Sequence, residues 1–142
     1  MIFSVGYEGT SLDDLVARLR AAEVAAVVDV RRTPASRKPG FSRRRLSEAL
    51  EAVGIEYLDE RDLGNPPENR DAFRHGDPVA VRRMRALVAG PGAEALGRVV
   101  ARASGERVAL LCVCADHAAC HRRVVAEMAV EQDPEIEVLP LP

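Results

Sequence analysis

Cys120-His121-Arg122 puts a nucleophile, a proton carrier and a permanent cation on consecutive residues. If Asp116 or a neighbour caps the helix that follows, all three fall in its first turn. There the helix N-terminus and cationic neighbours lower a cysteine pKa and generate a thiolate. Cys120 is then a candidate nucleophile and His121 a candidate proton carrier. A quieter reading rests on the same spacing: His121, Val124, Val125 and Met128 share a helical face, which would turn the imidazole toward a sheet as an anchor. Asp29 and Arg31 stand two apart in an apolar run. On a strand they project from one face and either pair with each other or share a ligand.

A second chemistry is electrostatic. Arg31, Arg32, Arg37, Lys38, Arg43, Arg44 and Arg45 lie in a stretch with no acid, inside a chain of formal net charge −2. Guanidinium forks match phosphate oxygens, so Arg37 and the Arg43 to Arg45 run are candidates for a phosphate cradle, with a solvated basic face as the alternative. Phe41 and Tyr57 offer ring faces beside it on which a base could stack. Ser42 precedes the apolar period Leu46, Ala49, Leu50, Val53, which places three arginines in the first turn of a helix. Each is unfavourable there by about 0.3–1 kcal/mol if exposed, so a nearby anion is expected, either an internal carboxylate or a ligand.

Other constellations are weaker. Cys112, Cys114, Cys120 and His121, with His117 nearby, supply enough donors for tetrahedral zinc. Their spacing is not that of a zinc knuckle, and Cys112 and Cys114 share one face of an apolar run where cysteine acts as a small hydrophobe. No metal and no cofactor is expected. A cysteine-phosphatase loop needs an arginine six positions after its cysteine, and Ala118 and Cys120 occupy those positions. Gly6 and Gly9 follow a strand, but neither a dinucleotide fingerprint nor a P-loop accompanies them.

The elements that must position these residues alternate. Ile2 to Val5 reads as a buried strand. Ser11-Leu12-Asp13-Asp14 opens a helix with the stripe Leu12, Leu15, Val16, Leu19, and Ala25 to Val30 is a second strand. A helix over Ser42 to Val53 and a strand at Ile55 to Leu58 come next, followed by a long loop from Asp62 to Gly76. Asp77-Pro78 starts a helix, and Leu96, Val99, Val100 and Ala103 mark another. A strand runs from Val108 to Cys114, a helix extends from about Asp116 to Val130, and a last strand spans Ile136 to Leu139. This order implies one α/β domain over residues 1–142, with a mostly parallel sheet of about five strands, helices on both faces, and a basic loop-helix segment at 31–45. Ligands of such sheets bind outside the carboxyl ends of the strands. That rule brings together Gly6-Tyr7-Glu8-Gly9, Asp29-Val30-Arg31, Asp59 to Leu63 and Cys114 to Arg122.

At 47% hydrophobic residues the chain can bury a continuous core. It shows no basic leader followed by an apolar run and no stretch long enough to cross a bilayer. Its three cysteines do not form the spread, even set of a secreted disulfide domain, so reduced thiols and a cytoplasmic location are expected, with no membrane partner.

The motifs Val5-Gly6-Tyr7, Val28-Asp29-Val30-Arg31 with Pro34, Ser36-Arg37 and Phe41, Gly54-Ile55-Glu56-Tyr57 with Leu63-Gly64, and Leu110-Leu111-Cys112 with Cys120-His121-Arg122 resemble those of the bacterial and archaeal domain-of-unknown-function family 488. An acidic residue often stands in that family where this chain has Cys114. The resemblance implies a compact α/β domain with a polar site at these motifs.

Together these readings lead to an expected anionic, phosphate-bearing ligand, a nucleotide or a nucleic-acid end, at the carboxyl edge of the sheet. Tyr7, Arg31, Arg37, Arg43, Tyr57 and Arg122 would hold it, and Asp29, Glu8, Cys120 and His121 would be candidates for proton transfer or nucleophilic attack. The alternatives are a non-catalytic nucleic-acid-binding or regulatory module using the 31–45 arm and, third, a zinc-stabilised interaction domain.

Overall fold

Five short runs, Ile2–Gly6 (β1), Ala26–Asp29 (β2), Glu56–Asp59 (β3), Val108–Cys112 (β4) and Val138–Pro140 (β5), pair in one all-parallel sheet of order β3-β2-β4-β1-β5. The structure is a computed structural model that describes residues 1–141. Six helices join the strands: Leu12–Ala21 (α1), Arg43–Glu51 (α2), Pro67–Arg74 (α3), Pro78–Ala89 (α4), Ala93–Ala103 (α5) and Arg122–Gln132 (α6). Every residue of β1, β2 and β4 is buried, the usual state of parallel strands covered on both faces.

The period of two along the strands separates two cores. Phe3, Val5, Val27 and Leu111 face Leu15 and Leu19 of α1 and Leu46 and Leu50 of α2. Ile2, Val28 and Leu110 face Met84 of α4, Leu96 and Val99 of α5 and Val124 and Val125 of α6. Handedness accounts for this division. The chain steps from β1 to β2 to β3 in one direction along the sheet with α1 and α2 on one face. It then steps back through β4 to β5, and right-handed crossovers put the later helices on the other face. Chains leaving β4 and its two neighbours therefore diverge to opposite faces, opening a crevice at the carboxyl end of β4.

Most expected elements are present with ends shifted by one or two residues. The 62–76 segment is not a continuous loop: it holds a 3₁₀ turn at Arg61–Leu63 and then α3. Asn69 and Phe73 are the only buried residues of α3, so it carries no apolar stripe, and its Pro67 sits at the helix start where a missing N–H costs nothing. β4 stops at Cys112, and α6 begins at Arg122 instead of near Asp116. The Asp116 carboxylate accepts from the Ala118 N–H at 3.0 Å in a local turn and caps no helix. Among the described residues no helix is long and apolar enough to cross a membrane.

Candidate functional site

Two glycines bring the strand exits together. A Cβ on Gly6 would lie 1.7 Å from the Cys114 carbonyl oxygen, so only glycine lets β1 end against the loop after β4. The next two residues lock that approach, with the Tyr7 N–H donating to Cys112 O at 3.2 Å and the Glu8 N–H to Val113 O at 2.9 Å. Gly64 plays the same part for α3, since a Cβ there would stand 2.4 Å from the Arg32 Cα. The space left in the crevice is a cavity of about 390 Å³, bordered by Glu8, Arg32, Arg70, Arg74, Cys114 and Cys120 among others.

Asp29 and Arg31 form the internal pair that their spacing allowed. The guanidinium holds both carboxylate oxygens, Nε to Oδ1 at 2.9 Å and Nη2 to Oδ2 at 2.7 Å, and the Arg31 N–H adds a bond to Oδ1 at 3.1 Å. Nη1 donates to the Tyr7 hydroxyl at 3.1 Å and to Phe41 O at 2.7 Å, which commits four of the five donors of Arg31 internally. Tyr57 donates to Asp29 Oδ2, and burial together with this carboxylate pushes the Tyr57 hydroxyl pKa far up. Tyr7 stacks on Phe41 with ring centroids 4.3 Å apart. Asp29, Tyr7 and Phe41 are buried and Tyr57 is spent on Asp29, so this group is a strut between β1, β2 and α2. Tyr7 and Phe41 offer no open ring face for a base.

The basic run does not make one surface. Arg31, though buried, and Arg32 border the cavity, whereas Arg37, Lys38 and Arg45 line a separate shallow groove on the α2 side of the molecule. Arg43 finds its anion inside the chain, with Nε 3.4 Å from Asp59 Oδ2, and Arg44 pairs with Glu48 one turn on. Neither Arg37 nor Arg43 reaches the thiol-bearing crevice.

Cys120 and His121 stand just before α6, with His121 in the N-cap position. The His121 Nε2 lies 2.8 Å from Val30 O, a bond that only a protonated Nε2 can make, so Nδ1 carries the lone pair. Nδ1 faces sulfur, 3.6 Å from Cys120 Sγ and 4.0 Å from Cys112 Sγ. Cys120 is 2% exposed, and its hydrogen bonds to Cys112 and Cys114, with burial added, push its pKa up. Cys120 is thus neither the exposed nor the acidified thiol expected at a helix start, because it is enclosed between two other sulfurs before α6 begins. The same bond from Cys120 holds Cys112 well below the ordinary thiol range and brings Cys114 down to about 6. Cys114, past the end of β4 and half-buried, is the most exposed of the three thiols on the cavity wall.

Arg122 does not reach the cavity. It is fully buried, and its Nε donates to Ser4 Oγ at 2.7 Å while Nη1 has no partner. Ser4 Oγ in turn lies 2.7 Å from His117 Nδ1. The cations that do border the cavity, besides Arg31 and Arg32, are Arg70 and Arg74, four apart on the cavity side of α3. These two were hidden from sequence reasoning because α3 was read as loop, so their helical spacing carried no signal.

A doubly covered parallel sheet with thiols, imidazole and arginines gathered at the carboxyl end of its central strand defines an α/β protein with a polar crevice site. The chain belongs to the family described as Domain of unknown function DUF488, whose family model matches residues 11–129. No curated protein and no solved structure matches it.

Proposed function

We propose that this protein binds a small anionic, phosphate-bearing ligand, a nucleotide or a nucleic-acid end, in the crevice at the carboxyl end of β4. The observation that carries the reading is the pairing pattern of the arginines. Arg43, Arg83, Arg85, Arg98 and Arg102 each sit on a carboxylate. Arg32, Arg70 and Arg74, which converge on the cavity, form no ion pair among the described residues. Three uncompensated guanidinium groups around an enclosed space of about 390 Å³ suit phosphate oxygens, and the apolar wall at Phe73, Pro67 and Val113 suits the body of a small organic molecule. Glu8 is the single carboxylate on the lining, within the same space as Cys114. The scattered 31–45 cations favour this enclosed site over an extended nucleic-acid face.

The test is calorimetric binding of pyrophosphate, nucleoside phosphates and a 5′-phosphorylated oligonucleotide at low salt, with wild type, Arg70→Ala/Arg74→Ala and Arg37→Ala/Arg45→Ala. Loss of one charged hydrogen bond weakens binding by about tenfold or more, so the first double variant should bind at least that much less tightly and the second should match wild type. Equal affinity in the first pair, or loss only in the second, would overturn the crevice site.

A further inference from the structure

The geometry points to a zinc site at the floor of the crevice, formed by Cys112, Cys120 and His121 and closed by Cys114. The ligand atoms of the first three lie within 4.8 Å of one another, and all three residues are buried. A tetrahedral zinc ion with ordinary bond lengths separates sulfur from nitrogen by about 3.6 Å and sulfur from sulfur by about 3.8 Å. The Cys120 Sγ to His121 Nδ1 distance is 3.6 Å, and that from Cys112 is 4.0 Å. Little motion is needed to admit the ion.

Two further features are those of a metal-binding histidine and its surroundings. The Nε2–H bond to Val30 O fixes the tautomer and the ring plane, leaving the Nδ1 lone pair on the sulfur cluster, as outer hydrogen bonds do for zinc-bound imidazoles. Arg122, fully buried with an unpartnered Nη1, stands beside the same sulfurs with no carboxylate to neutralise it. A divalent ion with three thiolates and a neutral imidazole carries one net negative charge, which Arg122 cancels. That count calls for a third thiolate, and Cys114, half-buried on the cavity wall just outside the group of three, is the thiol that can swing in as the fourth ligand. Soft sulfur donors in tetrahedral array suit zinc among divalent ions. Zinc binds thiolates, so metal uptake displaces the proton held among these thiols and affinity rises with pH.

The inference does not depend on the anion reading, because it uses different groups. The test takes the full chain, reduced and stripped by a chelator, and adds zinc against a chromophoric competitor, then cobalt(II) as a spectroscopic probe. One equivalent of zinc should bind with a Kd of about 10 nM or tighter. X-ray absorption of the zinc form should give three sulfurs at about 2.3 Å and one nitrogen at about 2.0–2.1 Å. With cobalt, the sulfur-to-metal charge-transfer band should lose a third of its intensity in Cys114→Ser and collapse in Cys120→Ser. Wild-type protein that takes up no zinc at micromolar concentration, or binds it through oxygen and nitrogen alone, overturns the site. So does a Cys114→Ser band equal to wild type, since the fourth ligand would then be wrong. The wild-type measurements need no variant to fold.

Discussion

Replacing Asp29 by asparagine tests whether the Asp29 and Arg31 pair is a strut or part of the binding site. The carboxylate is fully buried and accepts from the Arg31 Nε, Nη2 and backbone N–H and from the Tyr57 hydroxyl. Asparagine keeps one acceptor oxygen and turns an NH₂ toward Arg31, whose groups can only donate, so at least one guanidinium contact becomes donor against donor. It also leaves the Arg31 charge, 4% exposed, with no counter-ion. Breaking a buried ion pair by removing one partner costs about 3–5 kcal/mol, and the doubled loss here places Asp29→Asn in the upper part of that range. With a urea m-value of about 2 kcal/mol/M, the unfolding midpoint should fall by about 2 M. Arg31→Leu/Asp29→Leu, which removes both charges, should be less damaging than Asp29→Asn alone. Urea unfolding followed by circular dichroism, alongside pyrophosphate binding, provides the assay. A midpoint within 0.3 M (about 0.6 kcal/mol at that slope) of wild type, combined with lost binding, would refute the strut and return Asp29 to the site.

Gly6→Ala should destabilise the fold by about 3 kcal/mol or more, above the usual overpacking cost, because the new Cβ meets the Cys114 carbonyl backbone and not a yielding side chain; chemical denaturation measures it. In metal-free protein Cys114 should be the first thiol alkylated and Cys120 the last, since Cys120 is 2% exposed and Cys114 lines the cavity; mass spectrometry of partly labelled protein gives the order, and early labelling of Cys120 would show the crevice floor to be open. His117 has its pKa lowered below 6.5 by burial and by Arg122 and Arg123, so the folded state binds fewer protons than the unfolded chain. Its contribution to stability should be complete above about pH 6.5 and decline as pH falls from there toward its folded value, a slope that His117→Asn should flatten in urea midpoints taken across that window. Met84→Ala, at a fully buried site in the core away from the cavity lining, should cost about 2–5 kcal/mol while leaving pyrophosphate affinity unchanged.

The alternation of apolar runs and helical stripes was enough to define the parallel α/β sheet and to send Gly6-Tyr7, Asp29-Arg31 and Cys120-His121-Arg122 to one edge of it, because strand polarity and right-handed crossovers follow from local pattern. That Asp29 and Arg31 could pair was legible from their spacing, but the choice between pairing and sharing a ligand was made by the chain path beyond Asp29, where β2 ends. Which arginines border the cavity was not legible. Charge density marks a segment, but direction depends on backbone path, and the path sends Arg31 inward, Arg43 to Asp59 and Arg37 to another groove. Arg70 and Arg74 reach the cavity from a helix whose buried side is Asn69 and Phe73, too short a pattern to announce itself. The thiol cluster is tertiary in the same sense. Cys112 closes a strand, Cys114 lies beyond it, and Cys120 returns at the start of a helix. Their spacing matches no linear metal motif, because the fold that brings the Cys112 and Cys120 sulfurs beside His121 rests on Gly6 yielding space to the Cys114 backbone and on Val30 holding the imidazole.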